Sequence, residues 1–265
     1  MRSPPSIAAY EDRGEGHPVL LVHSFPLDRR MWAPQVEALA HAGFRAISID
    51  LPGFGQTPLA AGVEPSLEVY ASAVIDLLDH LRIECATVLG LSLGGYVALR
   101  VVARASERVE ALVLADTRAT GDSPQVRASR LVNLALVRER GAASLTEKML
   151  PHLLGPRATE VVKAEVRAIG GSQTAEGVTF ALLAMRDRGD ATELLSQLRQ
   201  NTLVLVGEFD AITPPAEMRR LSDTLPGGLF VLLSGCAHLS SMESPDAFNV
   251  ALLDFLVERR RAASR

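Results

Sequence analysis

Gly90-Leu91-Ser92-Leu93-Gly94 follows the apolar run Ala86 to Leu89 and opens a stretch of helical character, so Ser92 falls on a strand-to-helix turn. A serine in such a turn is held at a strained backbone angle at the strand tip. Glycines two residues to either side leave room for the neighbouring strand and helix. The plain alternative is a Gly/Ser-rich turn. The position between strand and helix, more than the five-residue pattern, makes Ser92 a candidate nucleophile.

Working outward from Ser92, short aliphatic runs recur with helical segments between them. Val19 to Val22, Ala46 to Asp50, Ala86 to Leu89, Ala111 to Ala115, Thr202 to Val206 and Leu229 to Leu233 are continuous in apolarity, as expected of parallel strands covered by helices on both faces. Ile7 to Glu11 is a candidate antiparallel edge. Met31 to Ala42, Leu67 to Leu81, Gly95 to Ala105, Pro214 to Leu225 and Pro245 to Arg259 carry apolar residues at three- and four-residue spacing and read as crossover helices. Ser66, Thr213 and Ser244 are candidate N-caps, the last two followed by proline at the first helical position.

The alternation stops after Ala115 and resumes at Thr202. Between them Ser123 to Arg140, Ala142 to Leu150, Ala158 to Ile169 and Gly177 to Met185 read as helices, separated by Gly141, Pro151, Gly155-Pro156 and Gly170-Gly171. An insertion at the carboxyl end of parallel strands is expected to roof a ligand site, or else to form a second structural layer. The expected division is a core of residues 1–117 and 188–265 with a helical cap of residues 118–187.

The chain has 265 residues, 48% hydrophobic and 22% charged, enough for one full core, and a net charge of -4 that disfavours a polyanion partner. Arg259-Arg260-Arg261 ends a helix, where cations are favoured in any case. Cys85 and Cys236 lack metal spacing and are expected to be free thiols. Met1 to Tyr10 has no apolar core of signal-peptide length, and no segment reaches the length of a membrane span. A cytoplasmic protein without nucleic-acid or membrane partners is the expectation.

A serine nucleophile requires a base and an acid that fixes the base's tautomer. His238, in Ser234-Gly235-Cys236-Ala237-His238, lies beyond the last strand at the carboxyl edge where Ser92 also emerges. His17, His41, His80 and His152 fall at element ends or in the insertion, and His23 reads as a turn-stabilising residue. Asp210 follows its strand by the short loop Gly207-Glu208-Phe209 and is the candidate acid. Asp116, ending the preceding strand, is its rival, and Glu208 a lesser one. Backbone N–H groups after the nucleophile and in the first strand's loop fall on Leu93 and Phe25, the candidate oxyanion donors.

Over nearly its whole length the chain resembles the α/β-hydrolase superfamily. The resemblance rests on Gly90-Leu91-Ser92-Leu93-Gly94-Gly95, His23-Ser24-Phe25-Pro26, Asp50-Leu51-Pro52-Gly53-Phe54-Gly55, Gly207 to Asp210, and His238 with Glu243-Ser244-Pro245. Pro26 to Arg29 with Met31-Trp32, Asp116 to Ala119, and Gly207 to Pro215 are similar to small bacterial carboxylesterases related to 3-oxoadipate enol-lactonases. The resemblance implies an α/β-hydrolase fold, a mostly parallel sheet flanked by helices with the cap inserted after the sixth strand. It also implies that Asp50 organises a turn. Ser24 departs from the glycine usual after the first histidine, which makes the local geometry of that loop an open question.

The activity implied is a serine carboxylesterase acting on small esters through Ser92, His238 and Asp210, with no metal or organic cofactor. Leu131, Leu134, Met149, Leu153, Phe180, Leu183 and Met185 are candidates for an apolar pocket or for packing between helices. A lactonase is the alternative, with Arg118 meeting a substrate carboxylate. A noncatalytic receptor on the same fold is a third possibility. C–C hydrolases and perhydrolases share the triad, whereas a haloalkane dehalogenase would need a carboxylate where Ser92 stands.

Overall fold

In the computed structural model, which describes residues 7–263, seven strands form one sheet in the order β1-β3-β2-β4-β5-β6-β7. They are β1 (Tyr10–Arg13), β2 (His17–Val22), β3 (Phe44–Ile49), β4 (Ala86–Leu91), β5 (Val109–Ala115), β6 (Asn201–Gly207) and β7 (Leu229–Leu233). All neighbours are parallel except β1, which runs antiparallel to β3 with Tyr10 opposite Ile49. The expected edge strand is therefore present but starts at Tyr10. Ahead of it the Ala9 N–H turns aside to the Thr57 hydroxyl at 2.8 Å. The first six residues of Met1 to Tyr10, and the side chains of Arg260 and Arg261, lie outside the described residues.

The continuous apolarity of the strands follows from burial on both faces. In β2, Leu20 and Val22 join a core shared with α2 (Leu67–His80) and α3 (Leu93–Arg104). The alternate residues Val19 and Leu21 join another core shared with α1 (Ala33–His41) and a C-terminal helix, where Trp32 packs on Phe248. Ser66 caps α2 as expected, accepting from the Glu68 N–H at 3.1 Å.

From β2 the chain steps to β3 on one side, then returns to place β4 on the other side of β2. A crevice opens at such a reversal, at the carboxyl ends of the two strands. Phe25 follows β2 and Ser92 follows β4, so the fold brings both to that point.

The helical insertion comes after the fifth strand of this chain rather than the sixth: among the described residues one antiparallel strand and four parallel strands precede it. It comprises α4 (Pro124–Leu153), α5 (Glu160–Gly171), α6 (Ala175–Arg186) and α7 (Thr192–Leu195). Helix α4 is two segments, broken where Gly141 adopts φ 77° and ψ 176°. The break stands where the glycine predicted it. Gln173 and Gly177 are among the residues that fasten the insertion to the core. The Gln173 side chain accepts from the Gly55 N–H at 2.9 Å and donates to Asp28 at 2.8 Å. Helix α6 rests on the Gly53 turn so closely that a Cβ on Gly177 would meet the Gly53 carbonyl oxygen at 1.8 Å. Beyond the insertion come α8 (Pro215–Thr224), the short α9 (Ser240–Glu243) and α10 (Pro245–Ala263). Among the described residues no helix is long and apolar enough to cross a membrane.

Candidate active site

The turn after β4 puts Ser92 at φ 54° and ψ -110°, the left-handed backbone that a non-glycine residue adopts only under constraint. Its glycine neighbours are the constraint. A Cβ on Gly90 would meet the Gly94 carbonyl oxygen at 2.1 Å, and one on Gly94 would meet the Val22 carbonyl oxygen at 2.0 Å. Strand, turn and helix thus pack backbone on backbone. The Ser92 N–H donates to the Ala115 carbonyl at 3.0 Å, and the Thr117 hydroxyl donates to the Ser92 carbonyl at 2.8 Å.

The loops after β6 and β7 bring the other two residues to the same edge. His238 Nε2 lies 2.8 Å from Ser92 Oγ, and His238 Nδ1 lies 2.8 Å from Asp210 Oδ2. Ser92 is 7% exposed, Asp210 2% and His238 1%, so the chain of three is almost sealed from water. Asp210 also accepts from the N–H groups of Ile212 at 2.8 Å and Thr213 at 2.9 Å, and from the Thr213 hydroxyl. Burial pushes its carboxyl up, but the charge and hydrogen bond of His238 and the bonds from Thr213 outweigh it and hold the group below the usual carboxylate range. Thr213 is therefore a partner of Asp210, not the cap of α8. Pro214 occupies the cap position.

Asp116 does not touch His238. Its carboxylate lies beneath the site and accepts from the Gly207 N–H at 2.8 Å and from the Ser240 hydroxyl. It thereby joins the end of β6 to the helix turn after His238. Burial, then the nearby Asp210 charge, pushes the Asp116 carboxyl well up. Glu208 accepts from the Ser234 hydroxyl at 2.8 Å and the Gly235 N–H at 2.9 Å, bracing the loop that leads to His238.

Phe25 and Leu93 are both buried, and among the described residues their N–H groups have no intramolecular acceptor. Two unpaired buried donors at the crevice, one on the first turn of α3, suit a developing negative charge. The Ser24 hydroxyl donates to the Phe25 carbonyl at 3.2 Å, and its own N–H meets Met31 Sδ at 3.2 Å. His23 is a scaffold residue. Its Nε2 accepts from the Leu51 N–H at 3.0 Å, so Nδ1 carries the proton and donates to the Ser24 carbonyl at 3.0 Å. Burial lowers its pKa in keeping with that neutral form. Asp50 accepts from Arg29 and the Gln56 N–H and organises its turn.

Of the candidate pocket residues, Leu131 is 52% exposed rather than buried. Leu134, Leu153, Phe180 and Met185 are buried in the two cores, and Met149 and Leu183 pack against them. Arg118 is already engaged, donating to the Ile212 carbonyl and lying 3.3 Å from Glu217. A cavity of about 590 Å³ lies between α5 and the loops after β6 and β7, bordered by Phe209, Ala211 and Ala237 but not by Ser92.

A sequence model of the alpha/beta hydrolase family matches residues 19–251. The chain belongs to that family. This alpha/beta hydrolase is similar to a thermophilic esterase from Thermogutta terrifontis, with 40% identity and a TM-score of 0.91 over 94% of this chain and 93% of that one. It is also similar to the enol-lactonase from Burkholderia xenovorans LB400, with 30% identity and a TM-score of 0.87 over 96% and 100% of the two chains. A putative non-heme bromoperoxidase, BpoC, of Mycobacterium tuberculosis is 32% identical over 265 residues, covering 93% of this chain and 96% of the relative. Family membership supports a hydrolase. The names of the relatives span more than one chemistry.

Proposed function

We propose that this alpha/beta hydrolase is a serine carboxylesterase acting on small carboxylic esters. The observation that carries the proposal is the unbroken hydrogen-bonded chain from Ser92 through His238 to Asp210, with both links at 2.8 Å. In the first half-reaction Ser92 Oγ attacks the ester carbonyl carbon as its proton passes to His238 Nε2. The carbonyl oxygen, now an anion, is held by the N–H groups of Leu93 and Phe25. Collapse of the tetrahedral species breaks the bond to the alkoxy oxygen, which takes the proton from His238 and leaves as the alcohol. Water then attacks the acyl-serine with His238 as base, releasing the carboxylic acid and restoring Ser92. Asp210 keeps the proton on Nδ1 and stabilises the imidazolium. The Ser24 hydroxyl, turned onto the Phe25 carbonyl, leaves the donor of Phe25 unobstructed.

Residues 118–187 act as a cap over this site in the proposed division, with residues 1–117 and 188–265 forming the core. The near-complete burial of Ser92 and His238 supports a roofed site of this kind. A lactonase would use the same triad, but a substrate carboxylate would have to displace Glu217 from Arg118. The esterase is therefore the preferred assignment. Turnover of nitrophenyl esters of increasing acyl length, compared with that of a carboxylated enol-lactone, tests it. Short acyl esters are expected to be hydrolysed, and Ser92 is expected to be labelled by a fluorophosphonate. Activity on the lactone alone would defeat the proposal.

A further inference from the structure

Two backbone groups around His238 are fastened to a single neighbouring strip of the chain. Glu243, at the end of α9, accepts from the Ala237 N–H through Oε1 at 2.8 Å and from the Gly155 N–H through Oε2 at 2.7 Å. The Leu239 N–H donates to the Leu153 carbonyl at 3.0 Å. Ala237 and Leu239 are the residues on either side of His238, and Leu153 to Gly155 is the end of α4 with its first linker residues. The backbone around the histidine is thus held by the helical insertion on both sides, once directly and once through a carboxylate.

From this arrangement we propose that Glu243 is a positioning residue, clamping the His238 loop to the end of α4 so that the base is set by the seating of the insertion. The proposal rests on the esterase reading above, in which His238 moves the proton. Each Glu243 oxygen serves a different N–H, so only a carboxylate, acceptor at both ends, bridges the two. No other common side chain of that size does so.

The environment supports a purpose beyond surface bonding. Burial pushes the Glu243 carboxyl above the usual range, and the Asp210 charge adds to the push, against the two N–H bonds and the His238 charge. A carboxylate that merely joined two loops could do so from solvent without that desolvation. The ionisable groups whose charges bear on it, or on which its charge bears, are Asp210, His238, Asp116 and Cys236. None offers it a formal ion pair unless His238 is protonated.

The test uses the full chain with Glu243→Ala and Glu243→Gln, assayed on a nitrophenyl ester beside the wild type and Ser92→Ala. Loss of the clamp lets the imidazole drift from the serine, and a displacement of about 1 Å costs on the order of 10²-fold. The expected result is a loss of that size in kcat for the alanine variant, with KM within about threefold. The glutamine variant, whose oxygen can still serve one N–H, should fall between. Amide hydrogen exchange should quicken at Gly155 and Ala237 together in the alanine variant, and at one of the two in the glutamine variant.

Unchanged kcat in both variants, a change confined to KM, or a kcat loss that merely tracks the fraction unfolded would overturn the clamp. So would faster exchange at Gly155 alone in the alanine variant. If the alanine variant does not fold, the glutamine variant decides by its kcat and by faster exchange at one of the two N–H groups. Failure of the esterase reading looks different, because the wild type itself would then show no Ser92-dependent turnover.

Discussion

Asp210→Asn isolates the electronic part of the proposed triad from its geometry. Asp210 Oδ1 accepts two backbone N–H groups, from Ile212 and Thr213, whereas Oδ2 faces the Thr213 hydroxyl and His238 Nδ1. An asparagine has one acceptor end and one donor end, and the two N–H groups fix which is which. Its oxygen must take the Oδ1 position, so its NH₂ is forced to face the hydroxyl and the histidine. The threonine hydroxyl can rotate and accept. Nδ1 must then give up its proton and accept as well, which moves the imidazole proton to Nε2.

A histidine protonated at Nε2 donates to Ser92 Oγ and cannot take its proton. The steric shape is unchanged, so the fold should survive. Loss of the correct tautomer is worth about 10⁴-fold in kcat in a serine triad, or ~5.5 kcal/mol of transition-state stabilisation. Steady-state turnover of a short nitrophenyl ester measures it, with urea unfolding as the control. Retention of more than about a tenth of wild-type kcat, in a variant of unchanged fold, would refute the role of Asp210. The result would return attention to Asp116.

Ser92→Ala is expected to abolish turnover and fluorophosphonate labelling with the unfolding midpoint unchanged, checked by mass spectrometry of the labelled protein. Gly94→Ala would push a Cβ to 2.0 Å from the Val22 carbonyl oxygen, shifting the first turn of α3 and the Leu93 N–H. It should lower kcat about 10²-fold and stability by roughly 1–3 kcal/mol, read from ester turnover and urea unfolding. Asp122→Ala strips the counter-charge from Arg188, whose side chain is 3% exposed, and from Arg130. About 3 kcal/mol of stability should be lost by urea unfolding, since an uncompensated buried charge remains. For Asp116 the folded pKa is raised, so between the ordinary value of about 4 and that raised value the folded state holds the extra proton and stability declines as pH rises. Asp116→Asn should flatten that part of the urea-midpoint profile while keeping kcat within about tenfold; an unchanged slope counts against the upward shift of this buried carboxyl.

Periodicity and punctuation were enough to place most of the strands and helices, because parallel strands buried on both faces are continuously apolar and helices are amphipathic. They also located the Gly141 break, where a glycine interrupts an otherwise helical pattern. The edge strand was harder. Residues 7–9 have strand-like composition, but the Ala9 N–H bonds to Thr57 rather than to a neighbouring strand. Ser92, Asp210 and His238 could be picked out because each follows an apolar run on a short loop at one edge.

Residues whose roles depend on contacts far along the chain were less readable. Thr213 looks like a helix cap because a proline follows it, yet its hydroxyl turns to Asp210. Glu243 stands close to His238 in the chain, but its second partner, Gly155, is 88 residues away. Arg118 is a candidate partner for a substrate carboxylate on the lactonase reading, but Ile212 and Glu217, distant in the chain, engage it in the fold. Gln173 gave no local signal at all, since both its core partners come from distant turns.

The bare contact between Gly53 and Gly177 also governs how this protein can be recombined. Where two backbones touch with no side chain between them, a methyl group on either side has nowhere to go, so these residues constitute a matched pair. A chimera that takes helices α4 to α6 from another hydrolase must bring a glycine at position 177, or import the partner turn around Gly53 along with the helices. Crossover points drawn only at the ends of the insertion would separate that pair, and libraries built on them should be enriched, among folded members, for those that keep both glycines.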